Sequence, residues 1–486
     1  MFPARLAALA LLGVLACAPK AAPPPAVVEA PAPPPPVDLL GPRPEVGPEV
    51  PFALPTPEAA RLSNGAGVWV VSAPSLPLVT LVLTVPGGAS TDAAGREGTA
   101  AIADRLLTQG AGKLDARAFA AEVERLGIQL DVDTGRAFST ISMSFAKDKM
   151  GPALDLLADV VLRPRLTAVD FARERGILAS DLKLAQDEPV AVAAKVAWRA
   201  WFGAAHPYSR PPEGTVKGMA AVTFKDAKAY HKNTWAAAGA RFTVAGAVTK
   251  DEVLAALEPR LGKAWKAGTA AKVALPPVPA RDKAPIVLVD KPGSAQTVFY
   301  LMFDGPSFGD AAAPPVKGGT IVLGGTFTSR LNALLREKRG YTYGVRARVE
   351  SLPASGVRVI STRIRTDATA PAMTDLVGEL AAIRAGVSAE EVTKARAAYR
   401  QDLVEAMESR AGTAGTFASW HAADLAPPAL GGELAAMQAL TPDAVRAAMA
   451  AYDPAKAVIV LVGDKAVIEK PLADAGFGPL TVVEPF

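Results

Sequence analysis

An arginine and a tyrosine that lie close together in the chain, Arg336 and Tyr343, are the side chains best suited to chemistry. A guanidinium and a phenol both donate hydrogen bonds, and both suit an oxygen on which negative charge develops. Taken alone, Arg336 is better explained as a surface charge and Tyr343 as a core aromatic. The surrounding sequence therefore has to decide between these interpretations.

The segment around the two residues predicts a glycine loop, a helix and a strand. Leucines at helical spacing follow Gly324-Gly325 and would face a core, and Gly340 fits the end of that helix. Apolar and polar residues then alternate from Thr342 to Val349, which is the period of a β-strand with Tyr343 on its apolar face. The arginine would thus lie on a helix and the tyrosine on the strand that follows it.

Length and composition set the broad class of the protein. A chain of 486 residues with 50% hydrophobic side chains predicts two or more domains with sizeable cores. The net charge of +4 is spread along the chain, and basic runs interleaved with aromatic residues are missing, which argues against nucleic-acid binding. The histidines, His206, His231 and His421, are far apart, and no local Ser-His-Asp or Cys-His signature accompanies them.

The first residues are typical of a targeting segment. Arg5 precedes an apolar run, Leu6 to Leu15, that is too short to span a bilayer. The run leads to Cys17, the only cysteine, in a setting that resembles a bacterial lipobox, although an ordinary secretory signal would also fit. We expect a signal peptide over residues 1–17 and lipidation of Cys17. The resemblance to bacterial lipoproteins implies the outer membrane, facing the periplasm.

The remainder of the chain divides into a tether and two similar halves. Residues 18–56 are rich in proline and alanine, which predicts an extended tether. Prolines cluster again in a predicted linker, residues 268–284, which separates domains at 57–267 and 285–486. Both halves begin with valine-rich strands and end with a helix, a strand, a glycine and another helix. Strands followed by helices predict α+β layers and a duplicated domain.

The glycine loop and Leu335-Arg336-Glu337-Lys338-Arg339-Gly340 resemble the substrate-binding half of the insulinase/pitrilysin family of zinc peptidases, which includes the mitochondrial processing peptidases. The resemblance covers the chain from about Pro57 and implies two related domains, mostly antiparallel sheets packed by helices, that form a clamshell. It also implies that Arg336 and Tyr343 hold the substrate backbone and stabilise the oxyanion.

The same resemblance implies an inverted zinc motif, His-x-x-Glu-His, on a helix after the second strand, with a distal carboxylate downstream. The matching positions are Ala101, Asp104, Arg105 and Asp181. Alanine has no donor atom, and an arginine stays protonated and repels a divalent cation. We therefore expect no catalytic zinc on this chain.

A replacement for the metal follows as a hypothesis. Arg105 would supply the local positive charge and would pair with Asp181 and Asp104. The alternative is that these are ordinary polar residues of a half-buried helix.

Three functions are compatible with these observations. The favoured one is a partner subunit, inactive alone, that gives Arg336 and Tyr343 to a heterodimer with a homologous chain that carries the zinc and acts on peptides or unfolded proteins. The second is a non-catalytic peptide-binding or scaffold lipoprotein of the same fold. The third is a self-sufficient peptidase with an unorthodox site.

Overall fold

The computed structural model describes residues 52–281, 283–450 and 452–485, together with Gly41, Gly47 and Val50. The predicted signal peptide with Cys17, and most of the predicted tether, lie outside the described residues. The chain separates into two compact units, Met1–Pro51 and Phe52–Phe486, and the fold given below is that of the second unit.

Two six-stranded sheets, one in each half, form the framework, and a two-stranded ribbon joins the first half. The strands are β1 (Glu58–Arg61), β2 (Gly67–Ser72), β3 (Leu78–Pro86), β4 (Gly110–Ala111), β5 (Leu114–Asp115), β6 (Gln129–Thr134), β7 (Phe138–Ala146), β8 (Arg241–Gly246), β9 (Ile286–Asp290), β10 (Gln296–Asp304), β11 (Val345–Leu352), β12 (Ser355–Arg365), β13 (Val458–Gly463) and β14 (Leu480–Val482).

Helices fill the intervals between strands and cover the outer faces of both sheets. They are α1 (Thr99–Arg105), α2 (Ala116–Leu126), α3 (Met150–Leu162), α4 (Ala168–Ala185), α5 (Pro189–Phe202), α6 (Val216–Ala221), α7 (Phe224–Thr234), α8 (Lys250–Leu257), α9 (Ala313–Thr320), α10 (Thr369–Ala385), α11 (Ala389–Glu408), α12 (Arg410–Ala422), α13 (Ala429–Gln438), α14 (Pro442–Met449) and α15 (Lys465–Asp474). Stretches of π-helix occupy Glu258–Gly262, Ile321–Gly325 and Asn332–Lys338.

The strand orders show that the two halves are copies of one topology. The first sheet has the order β1-β2-β8-β3-β7-β6, and the second has the order β14-β9-β13-β10-β12-β11. Five strands therefore correspond in sequence and in position, from β2 with β9 at one side to β6 with β11 at the other edge. Most pairs are antiparallel, and the parallel ones are β2 with β8 and β9 with β13 and β14. The predicted α+β fold with two related, mostly antiparallel domains is confirmed.

The central strands of each sheet are buried on both faces because the halves exchange one covering helix. On the second sheet, Trp198 of α5 packs in one core with Val298 and Val460. On the first sheet, Phe417 of α12 packs with Trp69. Each half would expose an apolar sheet face without the other, so burial of these faces joins the halves.

Local sequence rules explain most element boundaries. Ser388 and Glu391 form the predicted capping box at the start of α11, and Thr441 caps α14, whose first residue is proline. The predicted helix from Asp115 begins one residue later, because Asp115 itself caps α2. The segment 268–284 has neither helix nor strand at its described positions. In the described ranges, no helix combines the length and apolar character that crossing a membrane requires.

The exchanged helices give a stability prediction. Phe417→Ala should lower the free energy of unfolding by about 3–5 kcal/mol, because the side chain is fully buried between α12 and the first sheet. Urea titration followed by circular dichroism measures this change. Val169→Ala, at a site that is 78% exposed, is the control and should shift the unfolding free energy by less than about 0.5 kcal/mol. Equal effects of the two substitutions would contradict the packing.

Candidate functional site

The first candidate region is α1, which carries three of the predicted metal-site positions. Its start is fixed by Asp92, a buried carboxylate that sequence reasoning missed. Asp92 accepts hydrogen bonds from the backbone nitrogens of Gly98 at 2.7 Å and Ala100 at 2.8 Å. A carboxylate at this end satisfies free N–H groups and interacts well with the helix dipole. Burial nevertheless raises the pKa of Asp92 to about 7. The two hydrogen bonds lower this pKa, but the effect of burial is larger.

Asp104 is fully buried among polar groups of neighbouring elements. Its carboxylate accepts hydrogen bonds from the Thr134 hydroxyl at 2.7 Å, the Trp235 indole nitrogen at 3.0 Å and the Ser139 hydroxyl. Burial raises its pKa to about 7, and the three hydrogen bonds oppose that rise. The hypothesis that Asp104 pairs with Arg105 is therefore wrong, because the interior polar groups of neighbouring elements occupy its oxygens.

Arg105 does form the expected ion pair, but mainly with a residue that the sequence analysis did not select. Its Nε lies 2.5 Å from Glu174 Oε2, whereas its Nη1 lies 4.0 Å from Asp181 Oδ2. The Glu174 side chain is 6% exposed and that of Asp181 is 59% exposed, so Glu174 is the stronger partner. Glu174 lies two turns before Asp181 on α4, and this spacing on one helix face was a usable signal.

This position does not fit the zinc site that the fold family implies. Ala101 and Arg105 line a cavity of about 560 Å³ with Glu174, and no histidine is among its described lining residues. One of the expected ligands is a methyl group and another is a cation already paired with a carboxylate. Across the described ranges, no group of three or more His, Cys, Asp or Glu residues is arranged to hold a metal ion.

The second candidate region surrounds Arg336 and is built on a close approach of backbones. A Cβ added to Gly324 would lie 2.8 Å from the Ala347 Cβ and 3.1 Å from the Ala347 nitrogen. Glycine therefore lets the segment before the arginine helix lie against β11. Gly340, at φ +63°, ends that helix in the left-handed conformation, as the sequence predicts.

Asn332 connects the arginine helix to β11 and to the glycine loop, and sequence reasoning missed this residue. Its Oδ1 accepts a hydrogen bond from the Val345 nitrogen, and its Nδ2 donates to the Val345 oxygen, all at 2.9 Å. The same Nδ2 donates to the Thr326 oxygen at 2.9 Å. One buried amide thus fastens the arginine helix both to the start of β11 and to the glycine loop.

Arg336 stacks on an aromatic ring and keeps a donor unused. Its guanidinium carbon lies 3.4 Å from the centre of the Phe327 ring. Its Nη1 is buried and comes within 3.2 Å of Glu337 Oε1, but the angle does not make a hydrogen bond. Among the described residues this nitrogen has no hydrogen-bond partner. A buried donor without a partner is costly, and it suits a ligand oxygen.

Tyr343 lies outside the strand, at the edge of a large groove. The strand β11 begins at Val345, and the Tyr343 side chain is 92% exposed. The prediction that it occupies the apolar face of a strand is therefore wrong, because the alternating pattern begins two residues later. Tyr343 and Phe327 both line a groove of about 1060 Å³. Phe327 thus connects the groove with Arg336, which it contacts but which is not among the described residues that line the groove.

A pH prediction follows from the buried carboxylate of Asp104. Its pKa is about 7 in the folded chain against an ordinary 3.8, so the folded state retains a proton that the unfolded state loses in this window. Stability should fall as the pH rises from about 4 to about 7 and stay level above it, with a slope of at most about 1.4 kcal/mol per pH unit for this group. Asp104→Asn should make the pH profile from urea titrations less steep, and the slope that remains should come from Asp92, whose pKa burial also raises to about 7. An unchanged slope would contradict the assignment.

The Asn332 clamp gives a second prediction. Asn332→Ala should cost about 2–4 kcal/mol, because it leaves buried backbone groups at Val345 without partners. Thermal and urea unfolding measure the loss. Asn233→Ala on the exposed surface of α7 is the matched control and should change the stability little. A clamp variant as stable as the control would show that Asn332 does not hold the region.

Comparisons with known proteins identify the family. The model described as "Insulinase (Peptidase family M16)" matches residues 68–207, and the model described as "Peptidase M16 inactive domain" matches residues 221–399. An uncharacterized zinc protease of Mycobacterium leprae is 23% identical over 351 residues, which cover 71% of this chain and 78% of the relative. The probable mitochondrial-processing peptidase subunit beta of Arabidopsis thaliana is 23% identical over 203 residues, covering 42% of this chain and 38% of the relative.

Solved structures agree with this result. The peptidase M16 inactive domain from Pseudomonas fluorescens superposes with a TM-score of 0.78 at 27% identity, covering 84% of this chain and 98% of the other. A protease from Helicobacter pylori gives a TM-score of 0.76 at 20% identity, covering 84% and 100%. Matched family models in both halves, the duplicated topology and these structures lead to one conclusion: the chain belongs to the insulinase/pitrilysin family of peptidases.

Proposed function

We propose that this chain is the zinc-deficient partner subunit of a homologous zinc-bearing peptidase, and that it contributes substrate binding and oxyanion stabilisation. The single observation that carries the proposal is the contrast between its halves. The metal position holds a cation, Arg105, paired with Glu174, whereas in the second half Arg336 keeps a nitrogen without a described hydrogen-bond partner and Tyr343 is exposed. One half has lost the chemistry, and the other has kept the groups that assist it.

Electrostatics supports inactivity of the isolated chain. A guanidinium stays protonated at any working pH, so Arg105 repels a divalent cation and cannot act as a ligand. Its partner Glu174 is buried and already neutralised by the pair. In this proposal the chain binds no cofactor of its own, and the hydrolytic zinc belongs to the partner.

The chain's own contribution is two hydrogen-bond donors on a fixed frame. The guanidinium of Arg336, whose side chain is 25% exposed, and the exposed hydroxyl of Tyr343 would donate to a substrate carbonyl oxygen as negative charge develops there. Asn332 holds the arginine helix against β11, so the arginine needs little reorganisation. Two donors that are aimed before the reaction begins stabilise a transition state more than the ground state.

Names among the relatives support a division of labour. The model that matches residues 221–399 is described as an inactive domain, and it contains Arg336 and Tyr343. Relatives that match 71% of the chain are described as zinc proteases. A chain of this family without ligands at the metal position would need one of the latter as its partner.

The test is co-expression with a homologue from the same cell that carries the zinc motif. Arg336→Ala and Tyr343→Phe should each lower the peptidase rate of the purified complex by about 100-fold, since each removes a donor to the oxyanion. Arg117→Gln, an exposed residue of α2, is the control and should leave the rate unchanged. Unchanged rates in both site variants would overturn the proposal.

Two other outcomes separate the competing functions. Tight peptide binding without turnover in the presence of every zinc-bearing homologue would favour the non-catalytic binding lipoprotein. Chelator-sensitive cleavage by the isolated chain would favour a self-sufficient peptidase and would contradict the role given to Arg105.

The proposal includes a location at the cell envelope, in the outer membrane facing the periplasm. It is supported by the sequence around Arg5 and Cys17, which is typical of a lipoprotein signal. Metabolic labelling with a radioactive fatty acid should mark the native chain, and Cys17→Ser should lose the label and leave the membrane fraction. Equal labelling of the two proteins would contradict lipidation at Cys17.

A further inference from the structure

The groove beside Tyr343 has a strongly one-sided charge. Three arginines, Arg346, Arg348 and Arg363, line its volume of about 1060 Å³, and no aspartate or glutamate is among the described residues that line it. Val190 of α5 lines it as well, so the groove lies between the second sheet and the helix donated by the first half. A concave surface of one sign concentrates the electrostatic potential and attracts opposite charge.

The strand register brings two of these arginines together. Arg346 on β11 lies opposite Ser361 on β12, and Arg363 follows Ser361 by two residues, on the same face of the sheet. Diagonal neighbours of this kind have Cα atoms roughly 7–8 Å apart. The guanidinium groups of Arg346 and Arg363 therefore reach the same part of the groove.

These two arginines are unpaired, whereas the third is not. Arg348 Nη2 lies 2.6 Å from Glu350 Oε1 and also donates to the Tyr300 hydroxyl at 3.1 Å. Arg346 and Arg363 are exposed and have no hydrogen bond or ion pair with any described residue. Two adjacent like charges repel each other unless an anion lies between them, so this arrangement favours an anionic ligand.

The corresponding strand of the first half carries the opposite charge. β6 occupies the same edge position in its sheet as β11, and its exposed residues include Asp131 and Asp133. Positive charge is therefore a property of the second groove and not of the duplicated fold. This positive charge can select among ligands by their charge, and the corresponding strand of the first half lacks it.

We propose that this groove selects acidic segments of polypeptide, with Arg346 and Arg363 each pairing a side-chain carboxylate of the bound peptide. A guanidinium matches a carboxylate through two parallel hydrogen bonds. The groove volume is at the upper end of the range of ligand pockets, which suits several residues of extended chain. The inference rests on the proposed function, because it names the substrate class for the groove that Tyr343 lines.

Fluorescence anisotropy with labelled peptides tests the inference on the full purified chain. Three peptides share one sequence except at two positions, which carry glutamate, glutamine or lysine. The glutamate peptide should bind roughly tenfold more tightly than the glutamine peptide, and the lysine peptide most weakly. Higher ionic strength should reduce the preference for glutamate.

Variants locate the preference. Arg346→Gln with Arg363→Gln should abolish it, and Arg346→Glu with Arg363→Glu should reverse it toward lysine. The matched control, Lys113→Gln with Arg117→Gln, removes the same charge from exposed positions in the first half and should keep the preference. Circular dichroism confirms that each variant is folded.

The outcomes separate this inference from the proposed function. Equal binding of all three peptides, or loss of the preference in the matched control as well, would overturn acidic selection and leave the partner role standing. No binding of any of the three peptides would overturn acidic selection by the groove, whereas the partner role stands or falls with the peptidase rate of the complex. A preference that reverses with the charge of the two residues would establish the groove as the acidic site, whatever the rate of the complex.

Discussion

The ion pair between Arg105 and Glu174 governs what this chain can do. It puts a permanent positive charge, neutralised by a buried carboxylate, where the fold family places a divalent cation. The pair joins α1 to α4 and holds the two helices together at that position. Under the proposed function, the work of the chain then falls to other surfaces of the fold.

The fold preserves such surfaces because the two halves depend on each other. Helix α5 covers the sheet of the second half, and α12 covers the sheet of the first half. Loss of catalytic groups in one half therefore leaves the positions of groups in the other half intact. The buried network around Asp104, with Ser139 and Trp235, serves the same end, because it holds α1 against strands and α7 without a metal.

The second half keeps several polar groups without described partners in or beside one groove. Arg336 keeps an unused donor, Tyr343 is exposed, and Arg346 and Arg363 lack counter-ions in the described structure. On flat protein surfaces such groups are usually paired or solvated, and their interactions there contribute little free energy. Arg346 and Arg363 instead line a groove that α5 also lines. The groove holds less water than an open surface, so the charges are screened less and attract negative charge more strongly.

The sequence by itself determined the family, the α+β duplication and the caps of α11 and α14. It also determined that Ala101 and Arg105 offer no metal ligand. Periodicity, capping and donor chemistry are local properties, so the sequence alone reveals them. The tertiary structure alone decided which groups meet. Arg105 pairs with Glu174, and Asp104 is buried in the interior. Both results depend on helices and strands that are distant in sequence, because these elements supply the neighbours of the two residues. The exposure of Tyr343 and the clamp by Asn332 likewise depend on how the arginine helix lies against β11, which no local pattern encodes.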